Sequence, residues 1–197
     1  LNQNKIKKPR KALNEDKGFV DFARIKKDNL EEFQLMRLLI NYGTSEKIIN
    51  NQKPTSVGVF IAEELERDSI GFSVPIFDKI FQYVIGKIKL AESIKKVYFL
   101  THSEDDVRAL GAYVLGEKHL LSNWQEKDIF VLEEKDILYK VTRESILRFK
   151  LKRVQHMVKN SLLALKNEHG DEEDKLKQFS RLSSLEKKIQ QELGRLF

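Results

Sequence analysis

Residues 142–197 decide the fold: TRESILRFK LKRVQHMVKN SLLALKNEHG DEEDKLKQFS RLSSLEKKIQ QELGRLF. In the first half, Leu147, Leu151, Val154, Val158 and Leu165 recur in steps of four and three, with Ser161 the one polar interruption. In the second half, Leu182, Leu185, Ile189, Leu193 and Leu196 do the same. This is the spacing of two helices that share a seam. Between them lies Asn167-Glu168-His169-Gly170, whose glycine can take the left-handed conformation that ends a helix. Thr142 is the expected cap of the first helix and Asp171 of the second, with Glu172, Glu173 and Asp174 in the first turn where the helix dipole favours anions. Each helix should run about 25 residues, or roughly 37 Å. A hairpin of that length is expected to protrude from a small domain and to touch a partner.

The rest of the chain is read around this hairpin. Its 197 residues, 41% of them apolar, suffice for one domain plus an appendage. The absence of cysteine excludes disulfides and thiolate metal sites and fits a reducing cytoplasm. No apolar run reaches the ~18 residues of a membrane span, and no signal peptide is visible. The chain starts at Leu1 within a basic stretch, which suggests a piece of a longer protein.

The net charge of +6 is unevenly spread. Residues 1–30 carry nine Lys/Arg against four Asp/Glu, residues 31–142 carry 14 against 18, and residues 143–170 carry seven against two. The chain is therefore a basic leader, a mildly acidic body and one basic helix. Residues 1–27 read as a linker, with a short ordered piece at Phe19–Phe22. Its lysines and arginines would attract phosphate, but no aromatic stacking pattern accompanies them, and a solvated tether is the plainer reading.

The predicted class is all-α: a compact helical bundle over residues 28–141 followed by the hairpin at 142–197. Asp28 should cap a helix to about Asn41, buried on most sides through Phe33, Leu35, Met36, Leu38, Leu39 and Ile40. Residues 44–54 read as a loop with a turn near Ile48-Ile49. Thr55 or Ser56 should cap a helix to about Asp68, with Glu63, Glu64 and Glu66 outward. Pro75 should open another, to about Ala91, through the core. Val97–Leu100 has no partner strand and reads as an apolar turn or a short helix pinned to the core. Ser103 should cap the next helix, with Asp106 at the capping-box position, and Gly116 should stop it. Residues 117–141 are less regular.

No catalytic constellation is apparent. The glycines form no phosphate-binding loop, and His102, His119, His156 and His169 lack metal-ligand spacing. Glu104-Asp105-Asp106 begin a helix and point about 100° apart, which suits capping better than holding magnesium. No metal, no cofactor and no enzymatic role are expected. Trp124 reads as a packing residue more readily than an interface anchor. Off the hairpin seam lie Met157, Leu162, Leu163, Leu176, Phe179 and Phe197, a set suited to docking another protein or a second copy. Leu193 and Arg195 complete the expected partner-binding set.

The series Glu32-Phe33-Gln34-Leu35-Met36-Arg37-Leu38-Leu39-Ile40, the segment Phe99-Leu100-Thr101-His102-Ser103, Tyr139-Lys140-Val141-Thr142 leading into Lys150, Lys152 and Arg153, and the closing Glu192-Leu193-Gly194-Arg195 together resemble the C-terminal region of DnaG-type bacterial DNA primases. The resemblance covers residues 29–197. It implies a helicase-binding domain, a bundle plus hairpin that docks on the N-terminal domain of the DnaB-type replicative helicase, with polymerisation and zinc binding left to upstream domains. Residues 1–27 would then be the tether. The alternative is a nucleic-acid-binding module using the leader and the basic hairpin helix.

Overall fold

The structure, a computed structural model, describes residues 20–43, 47–50, 53–116, 134–167 and 172–195. Among them are eight helices and one small β-hairpin: α1 (Phe22–Asp28), α2 (Leu30–Tyr42), β1 (Lys47–Asn50), β2 (Lys53–Ser56), α3 (Val57–Arg67), α4 (Pro75–Lys89), α5 (Val97–Thr101), α6 (Asp105–Gly116), α7 (Leu138–Asn167) and α8 (Glu172–Gly194). The fold is all-α, and among the described residues that strand pair is the one departure.

α2 is the central post. Its apolar residues cover more than one face, and Phe33, Leu35, Met36 and Leu38 are fully buried. α1, α3, α4, α6 and α7 all pack on it. Phe33 meets Phe77 of α4 and Tyr113 of α6 at ring-centroid distances of 6.3 and 5.9 Å. Two glycines allow backbones to touch. A Cβ on Gly58 would lie 2.8 Å from the Gly43 carbonyl oxygen, which already accepts the Gly58 amide at 2.8 Å. A Cβ on Gly111 would lie 2.6 Å from the Phe99 carbonyl oxygen, so α5 rests directly on α6 there.

The helix over Val97–Thr101, the opening of α4 at Pro75 and the Ser56 cap agree with the sequence reading; Ser56 Oγ accepts the Val59 amide at 3.2 Å. Several local expectations do not hold. Lys47–Asn50 and Lys53–Ser56 form an antiparallel pair, with Lys47 opposite Ser56 and Asn50 opposite Lys53, because Ile48 is drawn into the core and fixes the register. α1 occupies the end of the expected linker: Asp21 caps it through the Arg24 amide, and Phe22 is buried 5.7 Å from the Tyr113 ring. The body therefore begins by Phe22, not residue 28. Asp28 lies within α1, and Asn29 takes the N-cap position of α2 without a side-chain bond to it. Ahead of α6, His102 Nδ1 rather than Ser103 accepts the Glu104 amide, at 3.1 Å.

α7 departs furthest from the sequence expectation. It starts at Leu138, so Thr142 sits inside the helix, wholly buried, and caps nothing. Leu138, Ile146 and Phe149 belong to the same core as α2, and Phe149 stacks on Phe72 at 5.7 Å. The expected division at residue 141 is thus absent: one helix is both a wall of the bundle and half of the hairpin. Residues 117–133, 168–171, 196 and 197 lie outside the described residues, and with them His119, Trp124, the Gly170 turn and the Asp171 cap.

Ala91 follows α4 at φ 56°, where its amide donates to Ile88 at 2.9 Å and the Glu92 amide to Lys87 at 2.9 Å. This is a Schellman ending built without glycine. Ala91→Gly should raise stability by about 0.5–1 kcal/mol, since the left-handed conformation strains any Cβ. Thr142 Oγ1 meets no hydrogen-bond partner among the described residues. Thr142→Val should add about 1 kcal/mol by removing an unsatisfied buried hydroxyl. Urea unfolding of both variants at neutral pH checks both values.

Candidate functional site

α7 carries two stripes. Leu138, Thr142, Ile146, Phe149 and Arg153 face the bundle; Leu147, Leu151, Val154 and Val158 face α8, where they close on Ile189 and Leu193. The seam predicted from sequence is therefore present for these residues. Leu165 and Leu182 are half-buried, Leu196 is outside the described residues, and Leu185 is 43% exposed rather than seam-buried.

Where α3 and the α7–α8 pair diverge, they leave a groove of about 930 Å³. Its apolar lining is Phe60, Ile70, Ile146, Leu147, Val154, Met157, Leu185 and Ile189. Its charged lining is Glu63, Glu64, Arg67 and Asp68 from α3 and its end, Arg143 and Lys150 from α7, and Lys188 and Glu192 from α8.

Most of those charges are spent on each other. Lys150 is 5% exposed, and its Nζ lies 2.7 Å from both Glu64 Oε2 and Asp68 Oδ2. Arg67 binds the same two carboxylates from outside, 2.6 Å from Glu64. Burial disfavours the Asp68 carboxylate, but the Lys150 hydrogen bond and charge, with Arg67 adding, outweigh it and hold the carboxyl below its ordinary range. The nearby Glu64 charge raises the Arg67 pKa. Arg143 pairs with Glu192 across the hairpin and donates to the Tyr139 hydroxyl at 3.0 Å, a bond that favours its cation.

A second polar cluster lies behind the groove. The buried carboxylate of Glu32 accepts the Ser73 amide at 2.9 Å, the Val74 amide at 3.2 Å and the Ser73 hydroxyl, so α2 supplies the anion at the start of α4. Arg153 of α7 sits 2.9 Å from the same carboxylate and 2.9 Å from the Gly71 carbonyl oxygen.

Of the residues expected to meet a partner, Met157, Leu162, Leu163 and Leu176 are 40–58% exposed on the hairpin. Phe179 is half-buried and Arg195 exposed. Leu193 is half-buried in the seam, where it packs on the Leu147–Val154–Ile189 cluster. Phe197 lies outside the described residues. Sequence reading missed the groove because Glu63 and Glu64 looked like an ordinary outer face. The signal was present in the basic run Lys150, Lys152, Arg153, two members of which answer acids of the body.

The carboxylates of the acidic run face cations of the fold. Glu104 and Asp106 turn toward Lys79, and Asp105 toward Arg108. Among the described residues no three His, Asp or Glu side chains gather around a point that could hold a metal ion. Among them, too, no helix is long and apolar enough to cross a membrane. A smaller cavity, about 70 Å³, is lined by the Tyr83–Tyr98 stack (4.5 Å) and His102. Burial and then the Tyr83 hydrogen bond push the Tyr98 phenol well above its ordinary range, which keeps it neutral.

The Lys150 cluster gives a pH-dependent prediction. Lys150→Met keeps the packing but leaves Glu64 and Asp68 to Arg67 alone, and should cost about 2 kcal/mol at pH 7. Because the folded Asp68 pKa is depressed, its stabilisation is complete above the unfolded value of ~3.9 and is lost as pH falls through the folded one. The gap between wild type and variant should therefore narrow in urea titrations as the pH falls below the unfolded value. A gap that stays constant there would contradict the assignment.

A family model described as "Domain of unknown function (DUF8430)" matches residues 19–196, a span that contains every described residue. No curated protein and no solved structure matches the chain. The match starts three residues before α1 and ends two after α8, so it spans the bundle and hairpin together. The chain belongs to the family described as Domain of unknown function (DUF8430).

Proposed function

We propose that this chain is a non-catalytic docking domain that works in the cytoplasm and recruits its parent protein, a DnaG-type primase, to the N-terminal domain of a DnaB-type replicative helicase during DNA replication. The partner is taken from the primase resemblance. The docking role rests on one observation: Leu162, Leu163 and Leu176 stand exposed on a hairpin whose other large apolar residues are mostly turned into its seam. Exposed leucines on a rigid helical pair are a common way to engage another helical surface.

Two features bear on the nucleic-acid alternative. Of the seven basic residues in 143–170, Arg143, Arg148, Lys150 and Arg153 are ion-paired within the fold, which reduces what that helix can offer to phosphate. The basic leader, residues 1–19, lies outside the described residues. Contact through the leader would fall steeply between about 50 and 200 mM salt, whereas apolar docking would not.

Deleting residues 142–197 is a poor test, because Ile146, Phe149 and Lys150 would leave the core with the hairpin. Surface variants are better. Leu162→Glu, Leu163→Glu and Leu176→Glu, singly and combined, should leave thermal unfolding unchanged. The combination should weaken binding to the isolated helicase N-terminal domain by about thirtyfold or more, as expected for central contacts. Calorimetry at two salt concentrations measures this. Wild-type affinity in the triple variant would end the proposal. A concentration-dependent dimer abolished by the same changes would transfer these leucines to self-association.

A further inference from the structure

We propose that the groove between α3 and the hairpin is a second docking site, separate from the exposed hairpin leucines, and that its occupant is an amphipathic helix of a partner protein with basic residues along one edge of its apolar stripe and acidic residues along the other.

The occupant follows from what the groove leaves unsatisfied. Its floor is apolar, formed by Phe60, Ile70, Val154 and Ile189, and Met157 and Leu185 stand 42% and 43% exposed at the hairpin side. Four charges cancel at its base, where Lys150 and Arg67 hold Glu64 and Asp68, and two more cancel where Arg143 holds Glu192. Among the described residues that line the groove, this leaves one carboxylate and one ammonium with no ion-pair partner. The carboxylate is Glu63 on the α3 wall; the ammonium is Lys188 on the α8 wall.

The two stand on opposite walls and do not pair with each other. An apolar trough with an anion on one lip and a cation on the other is complementary to a helix with the reverse arrangement. The helix would bury its stripe on the floor, give Lys or Arg to Glu63 and give Asp or Glu to Lys188. A small apolar ligand would fill the floor without using either lip. A membrane surface would need one sign of charge, and the groove as a whole is balanced.

The test uses the whole chain and two synthetic helices of about 18 residues, each with the same leucine stripe. One carries Lys and Glu on edges matching the groove. The other carries the same residues with the edges exchanged. Rim ion pairs are individually weak, so at low salt the matched helix should bind roughly fivefold to tenfold tighter than the exchanged one. Fluorescence anisotropy reads the difference.

The double variant Glu63→Lys with Lys188→Glu alters only exposed positions and should invert the preference. Leu185→Glu should weaken both peptides by at least about tenfold, and the Leu162, Leu163 and Leu176 variants should change neither. No binding, equal binding of the two peptides, or a preference that survives the charge exchange would overturn the proposal. So would a wild-type dimer that Leu185→Glu dissociates, since the occupant would then be a second copy. Loss of peptide binding in the Leu162, Leu163 and Leu176 variants would show that there is one docking surface and not two. Loss of helicase-domain binding alone in those variants leaves the groove's assignment standing.

Discussion

The position of α7 depends on ion pairs between its cations and carboxylates of the body. Glu32, nearly inaccessible on α2, gathers two amides and a hydroxyl from the turn before α4 and then needs a cation; Arg153 of α7 provides it. An unpaired carboxylate at that depth would cost several kcal/mol, so α2, α4 and α7 are obliged to meet at one point. Lys150, one turn back along α7, imposes the same condition on α3 through Glu64 and Asp68. At the start of the helix the polarity reverses. Glu134 receives Arg37 and the Tyr42 hydroxyl, tying the approach to α7 onto α2.

Seen this way, the uneven charge along the chain is an internal arrangement. The acidic body and the basic helix look, in one dimension, like a surface prepared for an anionic partner. In three dimensions much of that charge is matched within the molecule. Apolar packing supplies most of the stabilisation, as in any bundle. The ion pairs select where α7 lies among the many ways a leucine-rich helix could pack.

The all-α class, the order of the helices, the α2 core and the hairpin seam were legible because they rest on periodicity, which sequence carries directly. What escaped reading depended on context. Thr142 has the chemistry of a cap, but Leu138, Ile146 and Phe149 continue a second stripe through it, and a helix with two buried faces has no single clean period. Ile48 and Ile49 were too few to announce a strand, and only burial of Ile48 makes one. Asp28 lost its capping role because Phe22 finds a place against Tyr113 and pulls the preceding turn into a helix. For the candidate site, the exposed leucines of the hairpin were visible as off-seam positions. The groove was not, since it is created by the angle at which α3 leaves the hairpin.

The continuity of α7 has a mechanical consequence. Its 30 residues form an unbroken rod of roughly 45 Å, anchored at Ile146, Phe149, Lys150 and Arg153, with its far third standing beyond the bundle beside α8. A rod clamped at one end is a cantilever. Force applied near Leu162 is not absorbed by a flexible joint, since none interrupts the helix, but arrives as torque at the clamped end. There it presses on Lys150 and Arg153, the two cations that hold α2, α3 and the start of α4 together. Load on the tip is thus borne by the same few ion pairs that fix α7 against the bundle.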